Sequence, residues 1–275
     1  MPYPYRLKHC LTLTFSLLAT IAPLGAARAG DPIQDMPEGG SWLEIAGHQA
    51  AEWNVMLGAG FRVEPKFEGA KDFTIIPIPM ISAEFGQYVS VDPMGLTVNA
   101  WQYEGFSVKG RLGYDFGRDS DDAKHLEGLG DIGASAVLGV DLTYELMPLE
   151  FKLSLDKNIG GSDGFSAKFG TALMVPLEPF MFSIGPSVTW SDDNYMESYF
   201  GVTEKQSIKS GLPEFDAKAG FKRVDLEVSG LYFIDDHWAV RGEVGVGYLV
   251  GDAADSPVSQ ENLQPYTMFI LGYKF

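Results

Sequence analysis

Cysteine is almost missing from this chain: Cys10 is the only one in 275 residues. It stands before the apolar run that follows it, where no lipid-attachment motif can place it. A mature protein lacking it has no disulfides, thiolate metal sites or cysteine nucleophiles, a composition that suits an oxidising compartment. Histidine is scarce as well. Beyond the leader only His48, His125 and His237 remain, and they fall in an N-terminal linker, a long connection and a short turn. They cannot meet, which argues against a Ser-His-Asp hydrolase built on them. Basic residues are few, 20 Lys and Arg against 37 Asp and Glu for a formal charge of −17. So acidic a chain is a poor ligand for nucleic acid, whose phosphates need clustered cations. Long apolar runs are also lacking. The most apolar stretch after the leader, Phe73 to Ile81, holds Pro77 and Pro79 and falls far short of the roughly 18 to 20 residues of a spanning helix.

What is present begins with an address. Arg6 and Lys8 precede the mainly apolar Leu11 to Leu24, and Ala27-Arg28-Ala29 offers small residues at a signal-peptidase site. Cleavage after Ala29 is expected, leaving residues 30–51 as a polar periplasmic linker and 52–275 as the folded body. Arg6, Lys8 and Arg28 leave without any acidic residue, so the net charge falls by three from −17 to −20.

Through that body, apolar and polar residues alternate with period two, the mark of strands with two different faces. Phe106, Val108, Gly110, Leu112, Tyr114 and Phe116 share one face, with Ser107, Lys109, Arg111, Gly113 and Asp115 on the other. Trp53 to Val63, Ile132 to Tyr144, Leu149 to Asp156, Phe165 to Val175, Phe180 to Trp190 and Trp238 to Val250 repeat the pattern. A soluble sandwich also alternates. Strand length and connection pattern separate the two, because membrane strands run about 9 to 11 residues and are joined by short turns at one end and longer loops at the other. Long connections at 64–72, 117–130, 157–163, 191–214 and 251–264 alternate with short ones near Gly86 and at Gln102–Gly105, Glu145–Pro148, Pro176–Pro179 and Ile234–His237. The scheme is consistent if Asp92-Pro93-Met94-Gly95 is a tight outer turn. It also needs Phe215 to Tyr232 to be one strand with a bulge near Lys222 or Arg223. The expected fold is therefore all-β: a transmembrane antiparallel barrel of twelve strands, with short periplasmic turns, longer extracellular loops and both termini periplasmic.

In such a barrel the charged parity lines the lumen. It carries Lys109, Arg111, Asp115, Glu150, Lys152, Asp156, Lys168, Arg241 and Glu243, which are expected to pair across strands or to line water, since an unpaired charge in a low-dielectric setting is costly. Phe269, Leu271, Tyr273 and Phe275 share one face of the last strand, a pattern like the C-terminal signature by which outer-membrane barrels are handed to the barrel-assembly machinery. Asp121-Asp122 and Asp192-Asp193 offer oxygen ligands for a cation but lack the spacing of a calcium loop. Gly128-Leu129-Gly130-Asp131-Ile132-Gly133 precedes a strand and has no following lysine, so it is no phosphate loop. No metal, cofactor or catalytic residue is expected.

These segments resemble, along almost the whole mature chain, the MipA/OmpV family of outer-membrane proteins. The resemblance rests on Gly58-Ala59-Gly60, Pro65-Lys66-Phe67-Glu68-Gly69, Pro77-Ile78-Pro79, Gly117-Arg118 and Leu126 to Ile132. It continues through Trp190 to Tyr195, Tyr199-Phe200-Gly201-Val202, Ser210 to Pro213, Gly251 to Pro257 and Tyr273-Lys274-Phe275. Phe67 departs from the tyrosine expected there. The resemblance implies a porin-like envelope barrel in contact with outer-membrane lipid and lipopolysaccharide. For some members it implies a scaffold joining a murein lytic transglycosylase to a murein synthase. A passive channel for small solutes is the alternative, and a lipid-modifying enzyme a third reading for which no residue triad can be assembled.

Overall fold

In the computed structural model, residues 53–86 and 88–275 are described; the expected cleavage site at Ala29, the linker 30–51 and His48 lie outside them. The twelve strands are β1 (Trp53–Pro65), β2 (Phe73–Phe85), β3 (Val89–Asp92), β4 (Gly95–Tyr103), β5 (Phe106–Asp115), β6 (Ser135–Leu146), β7 (Leu149–Ile159), β8 (Phe165–Leu177), β9 (Phe180–Ser191), β10 (Gly220–Phe233), β11 (Trp238–Leu249) and β12 (Leu263–Lys274). Each pairs antiparallel with its neighbours in chain order, and β1 closes on β12 from Met56↔Lys274 to Val63↔Thr267. The closed twelve-strand barrel is as expected, including the tight turn after Asp92. Pairing β1 with β12 covers the edges that the first and last strands of an open sheet would expose. Gly58 and Gly60 make the seam possible, because a Cβ there would stand 2.4 Å from the carbonyl of Leu271 and 2.0 Å from that of Phe269.

The alternation becomes an apolar exterior and a polar interior. Leu112, Leu138, Val140, Leu142, Ile184, Leu226 and Val244 are exposed on the outside, while Asp141, Thr143, Asp225, Ser229, Arg241 and Glu243 are buried inside. Aromatic residues gather toward the short-turn end, called here the near end. Phe106 stacks on Tyr144 at 4.1 Å between centroids, Phe180 on Tyr232 at 4.7 Å, and Trp238 meets Tyr273 edge-on at 5.0 Å. An aliphatic band bordered by aromatic rings is what a barrel presents to lipid. Among the described residues no helix is long and apolar enough to cross a membrane.

Two strand ends differ from expectation. β6 starts at Ser135, not Ile132, and β10 at Gly220, not Phe215. Ile132 instead bridges Arg118, and Phe215 bridges Val202. Both segments belong to a folded cap over the far end, where packing against other loops outweighs their β propensity. The bulge lies where the parity demanded it: the register of β10 against β9 shifts between Phe221 and Arg223.

Candidate functional site

The far end is closed by its own connections. Within 192–219, α1 (Asp193–Phe200) and α2 (Glu204–Ser210) form, and α3 (Gly251–Asp255) follows β11. Asp192 starts α1 by accepting the Tyr195 N–H at 3.0 Å, and the i, i+4 pair Met196 and Phe200 is fully buried. Thr203 and Gln206 form a capping box on α2, and Gly211 ends it in the left-handed conformation with φ of +77°.

These pieces pack into two apolar clusters. Phe67, Ala70, Leu126, Leu129, Val202 and Val258 form one; Met196, Phe200, Ala217, Leu249 and Ala253 form the other. The first joins the connections after β1, β5, β9 and β11. His125, after β5, also meets the Pro257 carbonyl, after β11, at 3.0 Å. Those connections sit on opposite sides of a twelve-strand ring, so the loops reach across the mouth instead of fringing it. Phe67 is 7% exposed inside the first cluster, where a bare ring needs no partner for a hydroxyl. Asp192 and Asp193, candidate cation ligands from sequence, serve as hydrogen-bond acceptors here: Asp192 caps α1 and Asp193 takes the Ala219 N–H at 2.7 Å.

Beneath the clusters lies an ionic knot. Lys222 is the extra residue of the bulge, so it and Arg223 both turn inward, while Phe221 and Val224 stay exposed outside. Lys222 Nζ binds both oxygens of Glu68 at 2.9 and 2.7 Å and donates to the Tyr195 hydroxyl at 3.0 Å, its charge 4.3 Å from the centre of that ring. Arg223 Nη1 lies 4.0 Å from Glu68 and its Nη2 2.6 Å from Asp225. Tyr195 stacks on Tyr199 at 4.5 Å, and Tyr199 donates to Asp115 at 3.0 Å, which also accepts from Asn158 at 2.9 Å.

Burial pushes the Glu68 carboxyl upward, but the Lys222 and Arg223 charges outweigh it and hold its pKa below the ordinary value of 4.5. Burial, with Glu68 and Asp115 nearby, holds Tyr195 well above the usual phenol range, so it remains a donor. A carboxylate with a depressed folded pKa stabilises the fold fully above its unfolded value and loses that contribution as pH falls through the folded value. The cap should therefore stay shut at neutral pH and loosen only below about 4.5. Hydrogen exchange at 66–72 and 193–200 across an acid titration checks this; loosening that begins above pH 6 would contradict it.

The nominated lumen charges form further groups. Asp141 binds Arg111 and Lys152, each at 3.1 Å, and Arg111 also reaches Asp156 at 2.7 Å. Register explains the long reach: Arg111 and Asp156 both face Gly139, on opposite sides of β6. A Cβ at Gly139 would stand 2.6 Å from Asp156 Oδ1. Gly245 repeats the device, lying between Glu227 and Tyr266 while the Tyr266 hydroxyl donates to Glu227 at 2.9 Å. Arg241 and Glu243 contact at 3.2 Å deep in the wall. Lys109 faces Asp141 across β5 and β6, and Glu150 is buried beside them on β7. Lys168 is inward and exposed, opposite Ser154 and Thr189, with no ion pair among the described residues. Phe269 and Leu271 face outward on β12, Phe275 is exposed just beyond it, and Tyr273 packs between Trp238 and Phe275.

Glu68, Asp141, Tyr195, Tyr199, Lys222 and Arg223 were not nominated from sequence. Glu68, Tyr195 and Tyr199 do fall in the stretches that carry the resemblance, and most of those stretches converge on the cap. A family model described as MltA-interacting protein MipA matches residues 57–275. The chain belongs to the MipA family. The MltA-interacting protein of Escherichia coli (strain K12) is 30% identical over 91 residues, 33% of this chain, and the chain covers only 36% of the length of that relative. The putative outer membrane protein YiaT of the same organism is 21% identical over 221 residues, 79% of this chain and 89% of its own. Among solved structures the KdgM porin aligns over 80% of this chain and 99% of its own, at 10% identity and a TM-score of 0.42.

Proposed function

We propose that this MipA-family chain is an outer-membrane barrel acting as a non-enzymatic scaffold of the envelope. Its near end, with Phe275, faces the periplasm, and its cap faces outward. The observation that carries this reading is the far mouth, bridged by two apolar clusters and the Glu68–Lys222 pair, which suits an anchor better than a passive channel. Clustered lumen charges that mostly neutralise one another fit the same role, as wall braces instead of a solute path. The partner is a lytic transglycosylase of the MltA class, a proposal drawn from the name of the Escherichia coli relative. It docks on the short turns and on linker 30–51. The Phe269, Leu271, Tyr273 and Phe275 face serves recognition by the barrel-assembly machinery.

Crosslinked membranes from cells expressing the tagged full chain test the scaffold. A murein transglycosylase or synthase should be enriched over the amount recovered with an unrelated barrel, and equal recovery removes this reading. Purified protein in planar bilayers should give no steady conductance steps; regular steps would move the balance to the channel.

A further inference from the structure

Among the described residues, the ladder of the barrel wall is interrupted beside β2. β3 meets β2 only from Ala83↔Val91 to Phe85↔Val89, and the β3–β4 hairpin turns back after Asp92. From Phe73 to Ser82, β2 therefore has β1 on one side and, among the described residues, no paired strand on the other. Its outward residues Ile75 and Ile81 are 69% and 62% exposed. Pro77 and Pro79 lie in this stretch, and proline, lacking an N–H, is tolerated where no ladder partner waits. They also discourage an added strand, so an occupant of the notch must be recognised by side chains.

The inner wall beside the notch differs from the rest of the lumen. The inward parity of β2, set by buried Met80, Ser82 and Glu84, places Ile76, Ile78 and Met80 there. They stand in register with Arg62, Gly60 and Gly58 of β1, which face Met268, Ile270 and Gly272 of β12. Between the Arg62–Glu64 pair at one end and buried Glu84 at the other, a short aliphatic strip thus runs down the inside. Ile76 faces inward yet is 40% exposed. Above the strip, Lys66 and Lys71 are exposed on the connection from β1 to β2.

We propose that this notch admits one acyl chain of an anionic membrane lipid. The chain lies on Ile76, Ile78 and Met80, and the headgroup is held by Lys66 and Lys71. The notch is continuous with the lipid-facing exterior, so hydrocarbon is the apolar matter at hand, and burying it on aliphatic side chains is favourable. Two lysines at the rim, in a chain so acidic overall, select negative charge at that height. The inference rests on the membrane reading above, and the test separates the two.

The full chain in proteoliposomes is irradiated with phosphatidylglycerol bearing a diazirine near its chain end, and labelled residues are mapped by mass spectrometry. Ile76, Ile78 and Met80 should be labelled along with outward Ile75 and Ile81. Ile78→Trp, filling the strip, should lower the inner labelling several-fold and leave the exterior unchanged. Lys66→Gln with Lys71→Gln should bring inner labelling down to that given by the matching phosphatidylcholine. A labelled exterior with an unlabelled inner strip overturns the notch site. An unlabelled exterior overturns the membrane reading and the site with it.

Discussion

Replacing Glu68 by alanine is expected to open the cap while leaving the barrel wall folded. The pair with Lys222 is buried, with side-chain exposures of 14% and 8% and a contact of 2.7 Å. Removing one partner of such a pair leaves a desolvated charge and costs about 3–5 kcal/mol. Since about 1.4 kcal/mol is a tenfold change, amide protection at 66–72 and 193–200 should fall by roughly two to four orders of magnitude. The loss should stay local because the ladders from β1 to β12 do not depend on Glu68. Glu68→Gln, which keeps an acceptor for Lys222, should lose less. Glu68→Met combined with Lys222→Met removes both charges and should recover much of the loss, as apolar replacement of a buried pair often does; Arg223 stays neutralised by Asp225 at 2.6 Å. If all three variants exchange like the parent, the cap is held by its apolar clusters alone.

That knot shows where sequence reading stopped. Alternation and turn chemistry suffice for twelve strands, because each strand has one face toward lipid and one away, and a one-residue error would turn every apolar side chain inward. The bulge near Lys222 was legible as a parity break. Its purpose was not: alternation describes one strand at a time, whereas the knot joins Lys222 to Glu68, 154 residues earlier. The cap was equally hidden. Its helices are short and its apolar residues, such as Leu126 and Val258, are far apart in sequence, so no local period marks them. Asp141 lies on the polar parity of Ile132 to Tyr144, but its partners are not legible there, since pairing is decided by register between strands. One sequence signal would have helped. Gly139 and Gly245 are glycines on the inward parity, and each leaves room for partners two strands apart to meet over it.

Asp141→Asn should therefore weaken the barrel body, in contrast to the local effect at Glu68. Asp141 is 4% exposed and serves Arg111 and Lys152 together, both at 3.1 Å. Neutralising it leaves Arg111 with Asp156 but strands Lys152 on the inner wall, at a cost near the lower end of the ~3–5 kcal/mol for breaking a buried pair, because Lys152 keeps 26% of its surface. Urea unfolding in lipid vesicles should show a lower midpoint with an unchanged slope, since the same surface is exposed on unfolding. Gly139→Ala attacks the same brace sterically, its Cβ 2.6 Å from Asp156 Oδ1. Because Asp141→Asn leaves Arg111 with Asp156 alone and Gly139→Ala crowds that remaining contact, their combined effect should exceed the sum. Lys168→Met is the control: that lysine is inward, exposed and outside every ion pair among the described residues, so its loss should stay within about 0.5 kcal/mol. If Asp141→Asn were as mild as Lys168→Met, the lumen charges would not brace the wall, and a water-filled path through them would become the better account of why a lipid-bound barrel keeps so many charges inside.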